Sequence, residues 1–202
     1  KPIVNIVSYL MQWLALVMIR AGADTVIALN ESLKTQLLTR GFSRRNLEVL
    51  GAGIDLRQIG TGKDRSGVAQ YEGVFLGRLH PTKGIFDLIP IWRKVTNSHP
   101  RARLAVIGGG QEYLHEFLEK LIANAGLAGK VRLLGQLPDS EVYSLMRKAK
   151  IFLFTDHEAG WGLAVAEAMA CGLPVVGFDT GVLGTVYRKG IRKVPLGDID
   201  GF

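Results

Sequence analysis

From residue 71 onward, short apolar runs alternate with amphipathic stretches of helical length. Residues 73–76, 104–107, 131–134, 151–154 and 174–178 are rich in Val, Leu, Ile and Phe, and they are short enough to read as strands buried on both faces. Between them, residues 83–96, 111–125, 139–149 and 163–170 read as helices. In the third of these, Val142, Leu145, Met146 and Ala149 fall on one face. Pro90 lies inside the first and is expected to kink it. Ahead of this series, residues 4–21 predict a helix, 24–30 a short buried strand, 31–40 a helix closed by Gly41, and 47–50 another strand. Residues 51–70 carry Gly, Asp, Lys and Arg without an apolar period and read as a linker.

Strands alternating with helices at this spacing build βαβ units with right-handed crossovers. The expected fold class is therefore α/β, a Rossmann-like parallel sheet with helices on both faces. In such sheets ligands bind beyond the carboxyl ends of the strands. That directs attention to the loops at 77–82, 108–110, 135–138 and 155–162.

Composition narrows the picture little. The chain has 202 residues, 48% of them apolar, which suits one or two globular domains and excludes a disordered chain. The formal charge of +7 favours anionic partners. The Lys and Arg residues are scattered and no dense basic run carries interleaved aromatics, so nucleic acid is not an expected partner. A single thiol, Cys171, makes neither an internal disulfide nor a cysteine-rich metal site, and it fits a reducing, cytoplasmic compartment. Residues 3–19 are strongly apolar but broken by Asn5, Ser8 and Gln12. They read first as a buried helix within a domain. The second reading is a peripheral contact with a membrane surface, at its inner face.

The loops differ in what they offer. Residues 77–84 read Gly-Arg-Leu-His-Pro-Thr-Lys-Gly. Arg78 presents a planar fork and Lys83 a point charge, both near an expected helix start, which suits phosphate oxygens; solvated surface charges are the alternative. His80 is expected to face solvent or cap the loop. Gly108, Gly109 and Gly110 lack the third glycine of a dinucleotide fingerprint, as Tyr113 occupies its place, and a tight turn is expected there. Residues 155–162 read Thr-Asp-His-Glu-Ala-Gly-Trp-Gly and lead into an apolar helix that carries one acid, Glu167. Gly160 and Gly162 flank Trp161 and let the backbone expose N–H groups to an anion. A carboxylate on an apolar helix requires a partner. Glu167 suits two vicinal hydroxyls, as on a ribose, or a nearby Lys or Arg. Asp156, His157 and Glu158 are neighbours in sequence that rarely converge on one ion, so no metal is expected.

Four segments together resemble the retaining glycosyltransferases of family 4, which have the GT-B architecture. Residues 50–55 (LGAGID) resemble the link between that family's two domains. Residues 77–84 resemble its diphosphate loop, and residues 131–136 (VRLLGQ) with Pro138 and Asp139 the strand and loop beside the base. Residues 160–176 (GWGLAVAEAMACGLPVV) resemble its most specific signature. The resemblance runs from about residue 24 to 181 and implies two Rossmann-like domains with a cleft between them. Residues 1–51 would then be the last elements of an incomplete acceptor-side domain, 52–70 the linker, and 71–202 a donor-binding domain that stops before its closing helices.

By the same resemblance, Arg78 and Lys83 would neutralise the leaving nucleoside diphosphate in place of a divalent cation. Gly77, Gly160, Trp161, Gly162 and Leu163 would present backbone to sugar and phosphate, Glu167 would bind the ribose, and Gln136 with Leu137 would flank the base. No resident cofactor is implied, since the nucleotide diphosphate-sugar is the donor substrate. The acceptor would be a glycan or a lipid-linked glycan. One departure stands out. The family pairs two glutamates with seven residues between them, which places the first at Ala159, one position after Glu158. The leading expectation is a retaining, metal-independent hexosyltransferase with Arg78, Lys83 and Glu158 as its catalytic groups. The alternative is a nucleotide-sugar-binding module without chemistry, because Ala159 stands where the acid belongs.

Overall fold

Two compact units account for the chain, residues 1–52 and 53–202. The computed structural model describes residues 2–60, 69–187 and 189–202, with side chains from residue 6 onward. The first unit holds α1 (Pro2–Gly22), β1 (Val26–Ala28), α2 (Glu31–Thr39) and β2 (Leu47–Val49). β1 and β2 pair in parallel, with Val26 opposite Leu47. α2 begins where the Asn30 side chain accepts a hydrogen bond from Leu33 N at 2.8 Å. The small core is Ala28, Leu37, Phe42 and Leu47. It does not bury α1, contrary to the first expectation for residues 3–19. Trp13 is 63% and Met18 66% exposed, and among the described side chains of α1 only Leu16 packs against that core. A sheet of two short strands has too little apolar surface to cover a helix of 21 residues. Among the described residues, no helix is long and apolar enough to cross a membrane.

The second unit contains α3 (Leu56–Ile59), β3 (Tyr71–Leu76), α4 (Leu88–Ser98), β4 (Leu104–Ile107), α5 (Glu112–Asn124) and β5 (Val131–Gly135). It continues with α6 (Asp139–Arg147), β6 (Ala149–Phe154), α7 (Leu163–Ala170), β7 (Val175–Phe178), α8 (Val182–Thr185) and β8 (Ile191–Val194). The six strands from β3 to β8 form one parallel sheet in the order β5-β4-β3-β6-β7-β8. The strand pleat sends alternate residues to opposite faces. Phe75, Leu104 and Val106 join one core with Trp92 and Leu118, while Val74, Ala105 and Ile107 join another with Met146 and Val165. The Rossmann-like α/β sheet covered on both faces is therefore the fold. From β3 the chain steps outward to β4 and β5, then crosses to β6 and steps the other way. The reversal between β3 and β6 opens a crevice at their carboxyl ends.

Three local expectations are corrected. The helix expected over 83–96 begins at Leu88, because Gly84 takes a left-handed conformation (φ 64°) and the preceding residues 81–83 make a 3-10 turn. Pro90 consequently lies in the first turn of α4, where its missing N–H has no intrahelical acceptor, and no kink is required. Ala149 shares a core with Val142 and Met146 as expected, but it does so as the first residue of β6. α8 and β8 lie beyond the last strand read from the pattern, and β8 pairs with β7 with Val175 opposite Ile191.

Within the stretch expected as a linker, Ile59 is 1% exposed and Arg147 Nη1 donates to its carbonyl at 2.5 Å. Burying one such side chain contributes about 2 kcal/mol and anchors this stretch within the second unit. Residues 61–68 of that stretch lie outside the described residues.

Candidate functional site

The loop after β3 and the loop after β6 are tied together by backbone. Thr155 Oγ1 donates to Lys83 O at 2.9 Å, and His157 N donates to Thr82 O at 2.8 Å. Pro81 opens the 3-10 turn, and His80 caps it by accepting from Thr82 N at 3.3 Å. A Cβ on Gly84 would lie 2.0 Å from Thr155 O, so only glycine lets the two loops approach this closely. His157 Nε2 also meets Asp87 Oδ2 at 2.5 Å, just ahead of α4.

This stitching brings Lys83 to Asp156, 2.5 Å from Nζ to Oδ2. Asp156 is buried and Arg78 is exposed. Burial pushes the Asp156 carboxyl above its ordinary range, while the Lys83 hydrogen bond and charge, then His157 and Arg78, pull the other way. Asp156, His157 and Glu158, neighbours in sequence, thus part company. Asp156 turns to Lys83, His157 to Asp87, and Glu158 faces solvent. Ala159 is half-buried and packs against the core that contains Val165.

Loop 108–110 supports the loop after β3. Gly77 N donates to Ile107 O at 3.0 Å, Leu79 N to Gly109 O at 2.8 Å, and Gly108 N to Gly135 O at 2.8 Å. The glycines permit this close backbone packing between neighbouring loops. Next to them lies a cleft of about 200 Å³, lined by Leu76, Ile107, Gly108, Gln136, Leu137, Asp139, Val142, Tyr143 and Glu167. Gln136 and Leu137 therefore share one cleft with Glu167 although 30 residues separate Leu137 from it in sequence (167 − 137).

Glu167 lies on α7, and the Tyr143 hydroxyl donates to its Oε1 at 3.5 Å. No Lys or Arg pairs with it among the described residues. Burial pushes the Glu167 carboxyl up, the Asp139 charge adds to this, and the Tyr143 hydrogen bond opposes both. Tyr143 is itself pushed up, first by burial and then by the Glu167 charge. α7 starts from Gly162 in a left-handed conformation (φ 82°). The Gly162 carbonyl accepts from the Tyr187 hydroxyl at 2.9 Å, and Trp161 packs edge-on to Tyr187 at 5.5 Å. Burial pushes the Tyr187 hydroxyl well up, so it stays a donor. Leu163 is 48% exposed at the first turn of α7; Val165 N and Ala166 N donate to Gly162 O at 2.9 and 3.2 Å, so the N–H groups of Leu163 and Ala164 are those that precede the helical hydrogen bonds.

The carboxyl ends of the strands thus carry two cations and a buried acid on the loops after β3 and β6, a helix start, and a cleft with a carboxylate that no Lys or Arg pairs among the described residues. Chemically this arrangement can take a diphosphate at one end and a hydroxylated ring at the other. Asp156, Asp87, Tyr143 and Tyr187 were missed as site residues. Asp156 meets Lys83 across 73 positions, and no local pattern signals such a contact.

Residues 65–194 match the family model described as glycosyl transferases group 1. The chain belongs to that family. A D-inositol 3-phosphate glycosyltransferase of Corynebacterium jeikeium is 31% identical over 181 residues, covering 80% of this chain and 42% of that protein. A phosphatidyl-myo-inositol mannosyltransferase of Mycolicibacterium smegmatis is 35% identical over 134 residues, 63% of this chain and 33% of that one. The chain therefore spans less than half the length of these glycosyltransferases. Among solved structures, Anabaena HepE in complex with UDP and glucose aligns with a TM-score of 0.80 at 23% identity, over 93% of this chain and 54% of that one. At that identity the likeness is one of fold, the GT-B fold, and this chain covers about half of that structure.

Proposed function

We propose that this chain is the donor-binding part of a glycosyltransferase that moves a hexose from a nucleotide diphosphate-sugar to a glycan or lipid-linked acceptor, with retention at the anomeric carbon and without a metal ion. The observation that carries the reading is the placement of Arg78 and Lys83 in the loop after β3, of the start of α7 after β6, and of the Glu167 cleft, all at the carboxyl ends of strands in one sheet. Arg78 and Lys83 stabilise the charge that develops on the leaving diphosphate, the largest catalytic contribution open to such a site. Gly77, Gly160, Trp161, Gly162 and Leu163 present backbone to phosphate and sugar. Glu167 accepts from the ribose hydroxyls, and Gln136 and Leu137 flank the base. Relatives named for inositol phosphate and phosphatidylinositol acceptors support a lipid-linked or polyol-type acceptor. The exposed apolar residues of α1 support a peripheral contact at the inner face of a membrane.

Calorimetric titration with UDP, GDP and ADP tests the donor site. One of the three is expected to bind, and Arg78→Ala is expected to weaken it by on the order of tenfold, the loss of one charge-assisted contact. Binding that is unchanged in Arg78→Ala removes the loop from the site.

The packing of half-buried Ala159 against the core and the exposure of Glu158 favour a second reading, a nucleotide-sugar-binding module without chemistry. A one-residue offset in a loop re-aims the side chain, so Glu158, the remaining acid of the catalytic reading, points differently from an acid at 159. On the catalytic reading, Ala159→Glu is expected to raise donor hydrolysis on the order of tenfold, read as released nucleoside diphosphate. A variant that binds donor normally and gains nothing supports the module.

A further inference from the structure

Lys83 does not stand alone in its loop. Its ammonium donates to Asp156 Oδ2 at 2.5 Å, and the Asp156 side chain is 7% exposed. The acid is flanked by Thr155 and His157, whose bonds to Lys83 O and Thr82 O clamp its backbone against the loop after β3. It cannot leave Lys83 by a loop movement without breaking that clamp. Among the described residues, the other carboxylate oxygen takes no hydrogen bond. The cations of the loop, Arg78 and Lys83, are therefore met by a fixed anion, and the formal balance of these three groups is a single positive charge.

A fixed carboxylate beside a phosphate site weakens every anion, and it weakens the more highly charged anion more. In a nucleotide sugar each phosphorus keeps one ionisable oxygen and carries about one negative charge, whereas the terminal phosphate of a free nucleoside diphosphate has a second acidic proton that is lost near pH 6. Above that pH the free nucleoside diphosphate carries roughly one charge more, on the phosphate nearest the loop cations. Resting on the donor-site reading above, we propose that Asp156 is a specificity-determining residue: by holding Lys83 it shifts the selectivity of the diphosphate loop away from the free nucleoside diphosphate and toward the intact nucleotide sugar. The same balance assists departure of the nucleoside diphosphate after transfer.

The readout is a ratio of affinities, which a merely structural role for the ion pair would not move. Calorimetry at pH 7.5 and fixed ionic strength compares UDP with UDP-glucose, GDP with GDP-mannose and ADP with ADP-glucose on the full chain. Asp156→Asn is expected to tighten the free nucleoside diphosphate on the order of tenfold and the nucleotide sugar by about threefold or less. Asp156→Ser, smaller and also neutral, is expected to act in the same direction and covers the case in which the amide fails to fold. Glu119→Gln removes a charge on α5, where the side chain is 64% exposed, and is expected to leave the ratio unchanged. Equal tightening of both ligands, or weaker binding of both, overturns the inference while leaving the donor site standing. Failure of the unsubstituted chain to bind any of the six ligands sinks the donor-site reading, and this inference with it.

Discussion

Gly108→Ala is expected to lower the unfolding midpoint by about 10 °C or more, with a stability loss on the order of 4 kcal/mol. Gly108 has φ 141°, in a region that L residues rarely enter, and an added Cβ would lie 1.8 Å from Gly77 O. The obstacle is backbone, and that backbone is pinned on two sides. Gly77 N donates to Ile107 O at 3.0 Å, and Gly108 N donates to Gly135 O at 2.8 Å. Relief would require breaking one of these bonds at the carboxyl end of the central strands, which would also displace Arg78. Gly126→Ala makes the internal comparison. It has φ 70° but open space around it, so only the left-handed strain of about 1 kcal/mol applies. Equal midpoints for the two variants in a thermal scan would mean that loops 77–79 and 108–110 do not pack as described.

The second large effect concerns Glu167. Glu167→Gln is expected to weaken a ribonucleoside diphosphate by roughly thirtyfold, as charge-assisted bonds to the ribose diol become neutral ones. The 2′-deoxy analogue offers one hydroxyl fewer, so its loss is expected to be smaller and the preference for ribose to shrink. The pH dependence carries a sign. Burial, then the Asp139 charge, pushes the Glu167 carboxyl up, so the folded chain holds this proton more tightly than the unfolded chain does. As pH rises from the ordinary glutamate range to the raised one, stability attributable to Glu167 falls, and it levels off above that window. Ribonucleotide affinity is expected to rise across the same window, because the ionised form is the better acceptor. Asp139→Asn should move both transitions to lower pH. Titrations showing no ribose preference, or a Glu167→Gln variant as tight as the original, would remove Glu167 from the ribose site.

Much of the second unit was legible in the chain. Runs such as 104–107 and 151–154 fall within strands because Val, Ile, Leu and Phe in short blocks have no amphipathic alternative once helices cover both sheet faces. Residues 163–170 form the helix expected there, opened by a glycine at Gly162. The misreadings share a cause. The helix at 83–96 was extended too far because Lys83, Ile85 and Phe86 suit a helix locally, whereas Gly84 is drawn into a left-handed turn by Thr155, 71 residues further on (155 − 84). α1 was expected to be buried because apolar content implies a partner surface, and the first unit does not contain enough of it. α8 and β8 escaped notice because each is only four residues long, too short for a helical or strand period to show.

The sequence by itself determined the class of fold, the family signature around Glu167 and the charges available to a phosphate, since all of these reside in local pattern and residue type. It also placed Ala159 where an acid was expected. Only the tertiary structure decided what each charge faces. It set Asp156 against Lys83, His157 against Asp87, Tyr143 against Glu167, and turned Glu158 to solvent while packing Ala159 inward. Those pairings depend on which loops meet at the reversal between β3 and β6. Strand order arises from long-range packing across the sheet, and no short stretch of residues encodes it.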